Sequence, residues 1–199
     1  MPQKGLLVII SGPSGAGKGT ISKSFIEKND CWISVSATTR QPRTGERQGI
    51  NYFFMSREEF EIKIADNDFL EYAEVYGNLY GTPKSTVEDV LNSGKDVILE
   101  IDIQGAMQVK ERVKEGVFIF IMPPSMEELK QRIIKRGSET PESLSKRFAS
   151  AFEEMNFISK YDYAVVNDIV DLAVKKVESI IIAEKCRVGR IVENNVHIK

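Results

Sequence analysis

The stretch that most constrains this 199-residue chain is a short apolar run, Leu6-Leu7-Val8-Ile9-Ile10, which breaks directly into Gly12-Pro13-Ser14-Gly15-Ala16-Gly17-Lys18-Gly19-Thr20. An unbroken apolar run of this length suits a strand covered on both faces. The glycines end it, and a helical pattern begins at Ile21. Gly12, Gly17 and Lys18 stand at the G-x-x-x-x-G-K spacing of a phosphate loop. The chemistry asks for these residue types. Glycines permit tight turns that converge several N–H groups on one anion. The following helix adds its N-terminal dipole, and Lys18 adds a point charge on a flexible stem. A glycine-rich turn that binds nothing is the plain alternative, but it does not call for a buried strand before and a helix after.

Bulk properties narrow the class. The length suits one α/β domain with a substantial core. With 27 basic and 29 acidic residues the formal net charge is −2, so no global field favours nucleic acid or an anionic membrane. Basic groups that matter must be placed locally. Cys31 and Cys186 fit neither a metal spacing nor a disulfide framework. A reducing, cytoplasmic setting is the simpler expectation. The apolar run at Leu6 is too short for a secretion signal, and no stretch approaches membrane-spanning length. Oligomeric state is not legible.

Five apolar segments, near 6–10, 32–35, 97–101, 117–122 and 163–167, alternate with helical patterns. That alternation predicts a doubly wound, parallel five-stranded sheet. A polar loop from Ser36 to Gly49 carries Arg40, Arg43 and Arg47, and as sequence alone it reads equally as solvated surface or as a second anion site. Ser56 and Glu59 have capping-box spacing. Two strands are expected around Gly77-Asn78, carrying Glu71 and Tyr80. Asp102 closes a strand, where ligands sit in parallel sheets, but it also suits a helix N-cap. Helices are expected at 18–28, 83–93, 106–114 and 169–190, with Arg132 and Arg136 on one helix face. A break at Gly137–Pro141 precedes another helix carrying Arg147. Solvated arginines on two amphipathic helices would give the same pattern.

Gly12–Lys18, then Val35-Ser36-Ala37-Thr38-Thr39-Arg40-Gln41-Pro42-Arg43-Thr44-Gly45-Glu46, then Tyr52-Phe53-Phe54, together resemble the guanylate kinases, and the likeness continues along nearly the whole chain. The Gly17-Lys18-Gly19-Thr20 ending resembles that of many nucleoside monophosphate kinases. The resemblance implies a phosphate-loop core (about 1–36, 84–135 and 148–199), a small mixed α+β GMP-binding insertion (about 37–83) and a helical lid (about 136–147). It implies ATP on Gly12, Pro13, Ser14, Gly15, Ala16, Gly17, Lys18, Gly19 and Thr20, with Asn167 near the adenine, or else forming an Asx turn at a strand end. Glu71 would accept from guanine N1–H and the 2-amino group. Adenine would leave that carboxylate unpaired, which costs more than a missing contact. Ser36 and Thr82 would donate to the base oxygen. Arg40, Arg43, Tyr52 and Tyr80 would hold the monophosphate, with Asp102 close by. Taken singly, Glu71 would pass for a surface charge and the tyrosines for core packing; it is their joint match that gives them roles.

The implied reaction is transfer of the ATP γ-phosphoryl group to GMP, or dGMP, giving ADP and GDP in purine nucleotide metabolism. Lys18, Arg132, Arg136 and Arg147 would act on the transferred group, with Mg²⁺ near Thr20 and Asp102, directly or through water. Gly19 stands where a hydroxyl residue usually ligates that metal, and Glu100 stands where the family often has aspartate. Two rivals remain: a kinase of the same architecture with another acceptor, and a guanylate-kinase-like module that binds phosphopeptides. Such modules typically lack an intact phosphate loop.

Overall fold

The computed structural model describes residues 4–75, 77–135 and 141–193, except for the side chains of 141–147, 192 and 193. β1 (Leu7–Ser11) leads through the glycine loop into α1 (Lys18–Lys28) and β2 (Cys31–Ile33). A second unit follows: β3 (Ala37–Thr38), β4 (Phe53–Phe54), α2 (Arg57–Ala65), β5 (Phe69–Val75) and β6 (Asn78–Pro83). The chain returns through α3 (Lys84–Asn92), β7 (Asp96–Glu100), α4 (Ile103–Arg112), β8 (Val117–Met122) and α5 (Met126–Lys135). α6 (Pro141–Met155), a 3₁₀ helix (Asn156–Lys160), β9 (Tyr163–Val166), α7 (Val170–Lys185) and α8 (Val188–Glu193) complete it.

The first sheet is parallel throughout, in the order β2-β7-β1-β8-β9. β1 is central, with Ile9 opposite Leu99 on one side and Phe118 on the other. Its side chains alternate between two cores, which is why the run has no polar gap. Leu6, Val8 and Ile10 pack with Ile21 and Phe25 of α1 and with Val174, Val177 and Ile181 of α7. Leu7 and Ile9 pack with Val87 and Leu91 of α3 and with Ala106 and Val109 of α4. Each such burial stabilises by about 1.5–3 kcal/mol, so the base beneath the glycine loop is stiff. From β1 the chain winds toward β2; from β7 it crosses to β8, and the C-terminal ends of β1 and β7 open a crevice at that reversal.

The second sheet, β4-β3-β6-β5, is mixed: β3 and β4 run parallel, and β6 is antiparallel to both β3 and β5. Its core is small, formed by Ala37, Phe60, Phe69 and Leu79, with the Phe60 and Phe69 rings stacked at 4.3 Å. Ser56 Oγ accepts from the Glu59 N–H while the Glu59 carboxylate accepts from the Ser56 N–H, so the expected capping box forms. α4 clamps this sheet to the larger one. Tyr72 N–H donates to Gln108 Oε1 and Gln108 Nε2 donates to Tyr72 O, while Arg112 donates to the carbonyls of Phe69 and Leu70.

Of the boundaries that differ from the sequence expectation, two have a clear physical cause. α4 begins at Ile103 rather than 106, because the Asp102 carboxylate accepts from the Gly105 N–H at 2.8 Å and caps the helix there. The C-terminal helix stops at Lys185 rather than near 190. Arg187 and Arg190 turn back onto the buried carboxylate of Glu184, and a separate α8 follows. Arg136, His197 and the side chain of Arg147 lie outside the described residues. Among the described residues, no helix is long and apolar enough to cross a membrane.

Candidate active site

One half of the site is a loop of backbone. Gly17 has φ 93°, a left-handed conformation that favours glycine, and a Cβ there would lie 2.3 Å from Asn167 Nδ2. α1 starts directly after it with no side-chain cap and no acid in its first turn. Its N-terminal dipole therefore faces the loop without a fixed internal anion on its own helix. Asn167 is 3% exposed and donates from Nδ2 to Ala16 O at 2.8 Å, so it braces the loop from the end of β9. Its Oδ1 is buried without a hydrogen-bond partner. Lys18 Nζ donates to Gly12 O at 2.5 Å and to Pro13 O at 3.2 Å, which curls the side chain over its own loop.

Gly12, Ser14, Gly15, Gly17, Lys18, Gly19, Glu100, Asp102 and Glu154 line a cleft of about 280 Å³. A Cβ at Gly19 would lie 3.2 Å from Glu100 Oε1, the far end of an exposed side chain that would have to shift slightly. The acid at the end of β7 thus stands beside the position where a hydroxyl residue is usual. Asp102 both caps α4 and lines the cleft, so its two candidate roles coexist. Thr20 is exposed and lies outside this lining. Arg132 also lies outside it: Nε donates to Glu128 at 2.9 Å and an Nη to Asn167 O at 3.1 Å, which ties α5 to the end of β9.

The other half is made of side chains. Glu71 on β5 is 8% exposed and accepts from Thr82 Oγ1, across the antiparallel pair, at 2.6 Å. Its other oxygen lies 3.0 Å from where a Gly105 Cβ would stand, and Asp102 Oδ1 lies 3.4 Å from the same point. Burial pushes the Glu71 carboxyl above its ordinary value, against the Thr82 hydrogen bond and in company with the Asp102 charge. A buried, partly satisfied carboxylate is an acceptor waiting for donors.

Arg40 is not a solvated surface arginine. Its side chain is 15% exposed, it forms a two-bond pair with Glu46 at 2.8 and 3.0 Å, and it lies 5.4 Å from the Tyr52 ring and 5.9 Å from Phe54. Glu46 raises the Arg40 pKa, with Tyr80 adding, and is itself held below its ordinary value by Arg40 and by the Arg43 N–H. Tyr52 meets Tyr80 edge-on at 6.0 Å. Ser36 lies immediately before β3, and its carbonyl accepts from the Phe53 N–H. Arg43 is exposed at the rim.

Sequence reasoning did not assign four residues here. Glu46 fixes the arginine loop, Gly105 makes room for Glu71, Glu100 abuts Gly19, and Glu154 accepts from the Ser14 N–H at 3.1 Å. The missing hydroxyl at position 19 was the signal for Glu100. Gly105 and Glu154 depend on contacts between distant segments, and Glu46 on how its own loop folds back.

Comparison with known proteins shows the family. The family model described as guanylate kinase matches residues 4–184. The guanylate kinase of Clostridium perfringens strain SM101 is 68% identical over 197 residues, covering 98% of this chain and 91% of its own. That of Clostridium tetani is 69% identical over 189 residues, covering 95% of this chain and 91% of its own. The crystal structure of guanylate kinase from Anaplasma phagocytophilum superposes with a TM-score of 0.76 at 33% identity, covering 98% of this chain and 95% of that one. The likeness runs along almost the full length in sequence and in fold, and the chain belongs to the guanylate kinase family of nucleoside monophosphate kinases.

Proposed function

We propose that the protein transfers the γ-phosphoryl group of ATP to GMP, with dGMP as a second candidate acceptor, releasing ADP and GDP. The observation that carries this reading is the buried Glu71 carboxylate, held by Thr82 and facing the Gly105 and Asp102 end of α4, where Asp102 also lines the glycine-loop cleft. Guanine presents two adjacent donors to such a carboxylate; adenine presents none there. The protein is read as cytoplasmic, with small molecules as its partners.

The roles follow from phosphoryl-transfer chemistry, in which positioning and charge neutralisation dominate. The loop N–H groups and Lys18 hold the donor phosphates. Arg40, Arg43, Tyr52 and Tyr80 hold the acceptor phosphate, and Ser36 and Thr82 address the base oxygen. An oxygen of the GMP phosphate attacks the γ-phosphorus, and the bond to the ADP oxygen breaks. That oxygen is already ionised at neutral pH, so no general base is needed. Residues 136–147 form the proposed lid, with Arg136 and Arg147 brought onto the transferred group as it closes and excludes water. Arg132 anchors the helix from which that lid departs, and Asn167 Oδ1 is offered to the adenine.

The donor set fits Mg²⁺ held mainly by phosphate oxygens and water. Glu100 and Asp102 are hard carboxylates at the cleft, and among the described residues no cluster of three or more ligands forms a closed cage. Glu100 and Asp102 would hold the ion, with Thr20 the nearest hydroxyl in sequence to the loop lysine. When bound, Mg²⁺ supplies neutralisation of the developing charge on the phosphates.

The test is ADP formation from ATP with GMP, with AMP, with UMP and with no acceptor. Rapid ADP release is expected with GMP alone. Equal release with AMP or UMP would reassign the acceptor, and release independent of any acceptor would remove the kinase reading.

A further inference from the structure

We infer that Glu154 is an internal occupant of the phosphate loop, holding part of the donor site until ATP displaces it. This rests on the reading of Gly12–Thr20 as the ATP site and adds a residue that competes for it. Glu154 stands one position before the C-terminus of α6, about 140 residues from the loop in sequence. Its Oε2 accepts from the Ser14 N–H at 3.1 Å, and its Oε1 accepts from Ser150 Oγ at 3.2 Å on the same helix.

An acid in a phosphate cradle is chemically odd. A carboxylate oxygen and a phosphate oxygen are the same kind of acceptor for a backbone N–H. One N–H makes one strong bond, so the two compete for Ser14. Charge adds to the conflict. Among the described residues lining the cleft, the charged side chains are Lys18, Glu100, Asp102 and Glu154. Glu154 adds one negative charge on the side that a triphosphate would enter. Glu100 and Asp102 sit at the strand ends, and Asp102 is fixed by its cap; Glu154 is only half-buried, on a helix that follows the lid region.

Glu154 is therefore the group that yields. In the free protein its carboxylate accepts from a loop N–H. On ATP entry it withdraws, which lowers ATP affinity below what the loop alone would give. When ADP is left behind it can reclaim Ser14, which favours product departure. Because the carboxylate rides on α6, occupancy of the loop and placement of the helix that returns from the lid are linked in one contact.

The experiment measures binding of a non-hydrolysable ATP analogue, and separately of pyrophosphate, to the wild type and to Glu154→Gln and Glu154→Ala. Both variants are expected to bind both probes about three- to tenfold tighter, the effect of losing one charged competitor for a single hydrogen bond. Affinity for GMP alone stays at the wild-type value, because the contact lies on the donor side. In the free Glu154→Ala protein the Ser14 amide exchanges with solvent faster, which checks the contact itself. Unchanged or weaker probe binding in the variants, beside a wild type that binds normally, would overturn this role and leave the donor site intact. A wild type that binds no ATP analogue would remove the donor site and this role together.

Discussion

On the proposed function, the two halves of the crevice recognise their ligands by different means. The donor half is backbone: N–H groups of a glycine loop, a helix N-terminus and one flexible lysine, set on a sheet buried on both faces. The acceptor half is side chains: a carboxylate, hydroxyls, one fixed arginine and two tyrosines on a small sheet with a four-residue buried core. Backbone donors bind any phosphate of the right shape. Side chains choose between bases. The chemistry needs both, because the donor half must hold a phosphate chain while the acceptor half must tell guanine from adenine.

This contrast can be broken by single substitutions, starting from the largest effect. Lys18→Ala should lower kcat on the order of 10³-fold, as loss of a pre-placed charge at the transferred group does, while GMP binding barely moves. Near-normal turnover would show that the donor half does not depend on that charge. Glu71→Gln should cost about 10²-fold in kcat/KM for GMP, since an amide cannot accept two hydrogens in the same way. Gly105→Ala puts a methyl 3.0 Å from Glu71 Oε2, and should raise the KM for GMP about tenfold with the KM for ATP unmoved. Parallel changes in both KM values would mean that the two halves are not separable at α4.

Smaller effects test the arginine loop and the charge on Glu71. Glu46→Gln weakens the two-bond partner of Arg40, and a rise of about three- to fivefold in the KM for GMP is expected. The pH effect follows from sign. Burial raises the folded-state pKa of Glu71 above its unfolded value, so the free protein gains stability from that group at low pH and loses it as pH rises through the folded pKa. GMP binding runs the opposite way, because only the ionised carboxylate accepts both guanine donors. As pH falls from neutral through the raised Glu71 pKa, the KM for GMP should rise before the ordinary carboxylate range is reached. Glu71→Gln should flatten that profile and raise the melting temperature of the free protein at neutral pH.

The same contrast explains what the sequence revealed. The sheet core was legible because two-faced burial leaves continuous apolar runs such as Val117–Met122, and the donor half because backbone recognition demands glycines at fixed spacing. Glu71, Arg40, Tyr52 and Tyr80 were legible only through the likeness to guanylate kinases; one by one they match ordinary surface or core residues. Glu46 escaped because an acid six residues from Arg40 in a polar loop reads as ordinary surface; Gly105 and Glu154 escaped because their contacts exist only once distant segments meet. Gly105 is an unremarkable helix glycine until Glu71 arrives from β5, and Glu154 an ordinary helix acid until Ser14 arrives from the loop. The early start of α4 escaped for a local reason: Asp102 had two competing assignments and takes both.

The central claim is that donor binding and acceptor choice reside in separate halves. The direct measurement is the ratio of kcat/KM for GMP to that for AMP in the wild type, Lys18→Ala and Glu71→Gln. Lys18→Ala should be slow with both acceptors and keep the wild-type ratio; Glu71→Gln should keep more activity and lose most of the ratio. A ratio that collapses in Lys18→Ala, or survives in Glu71→Gln, would contradict this division of the site.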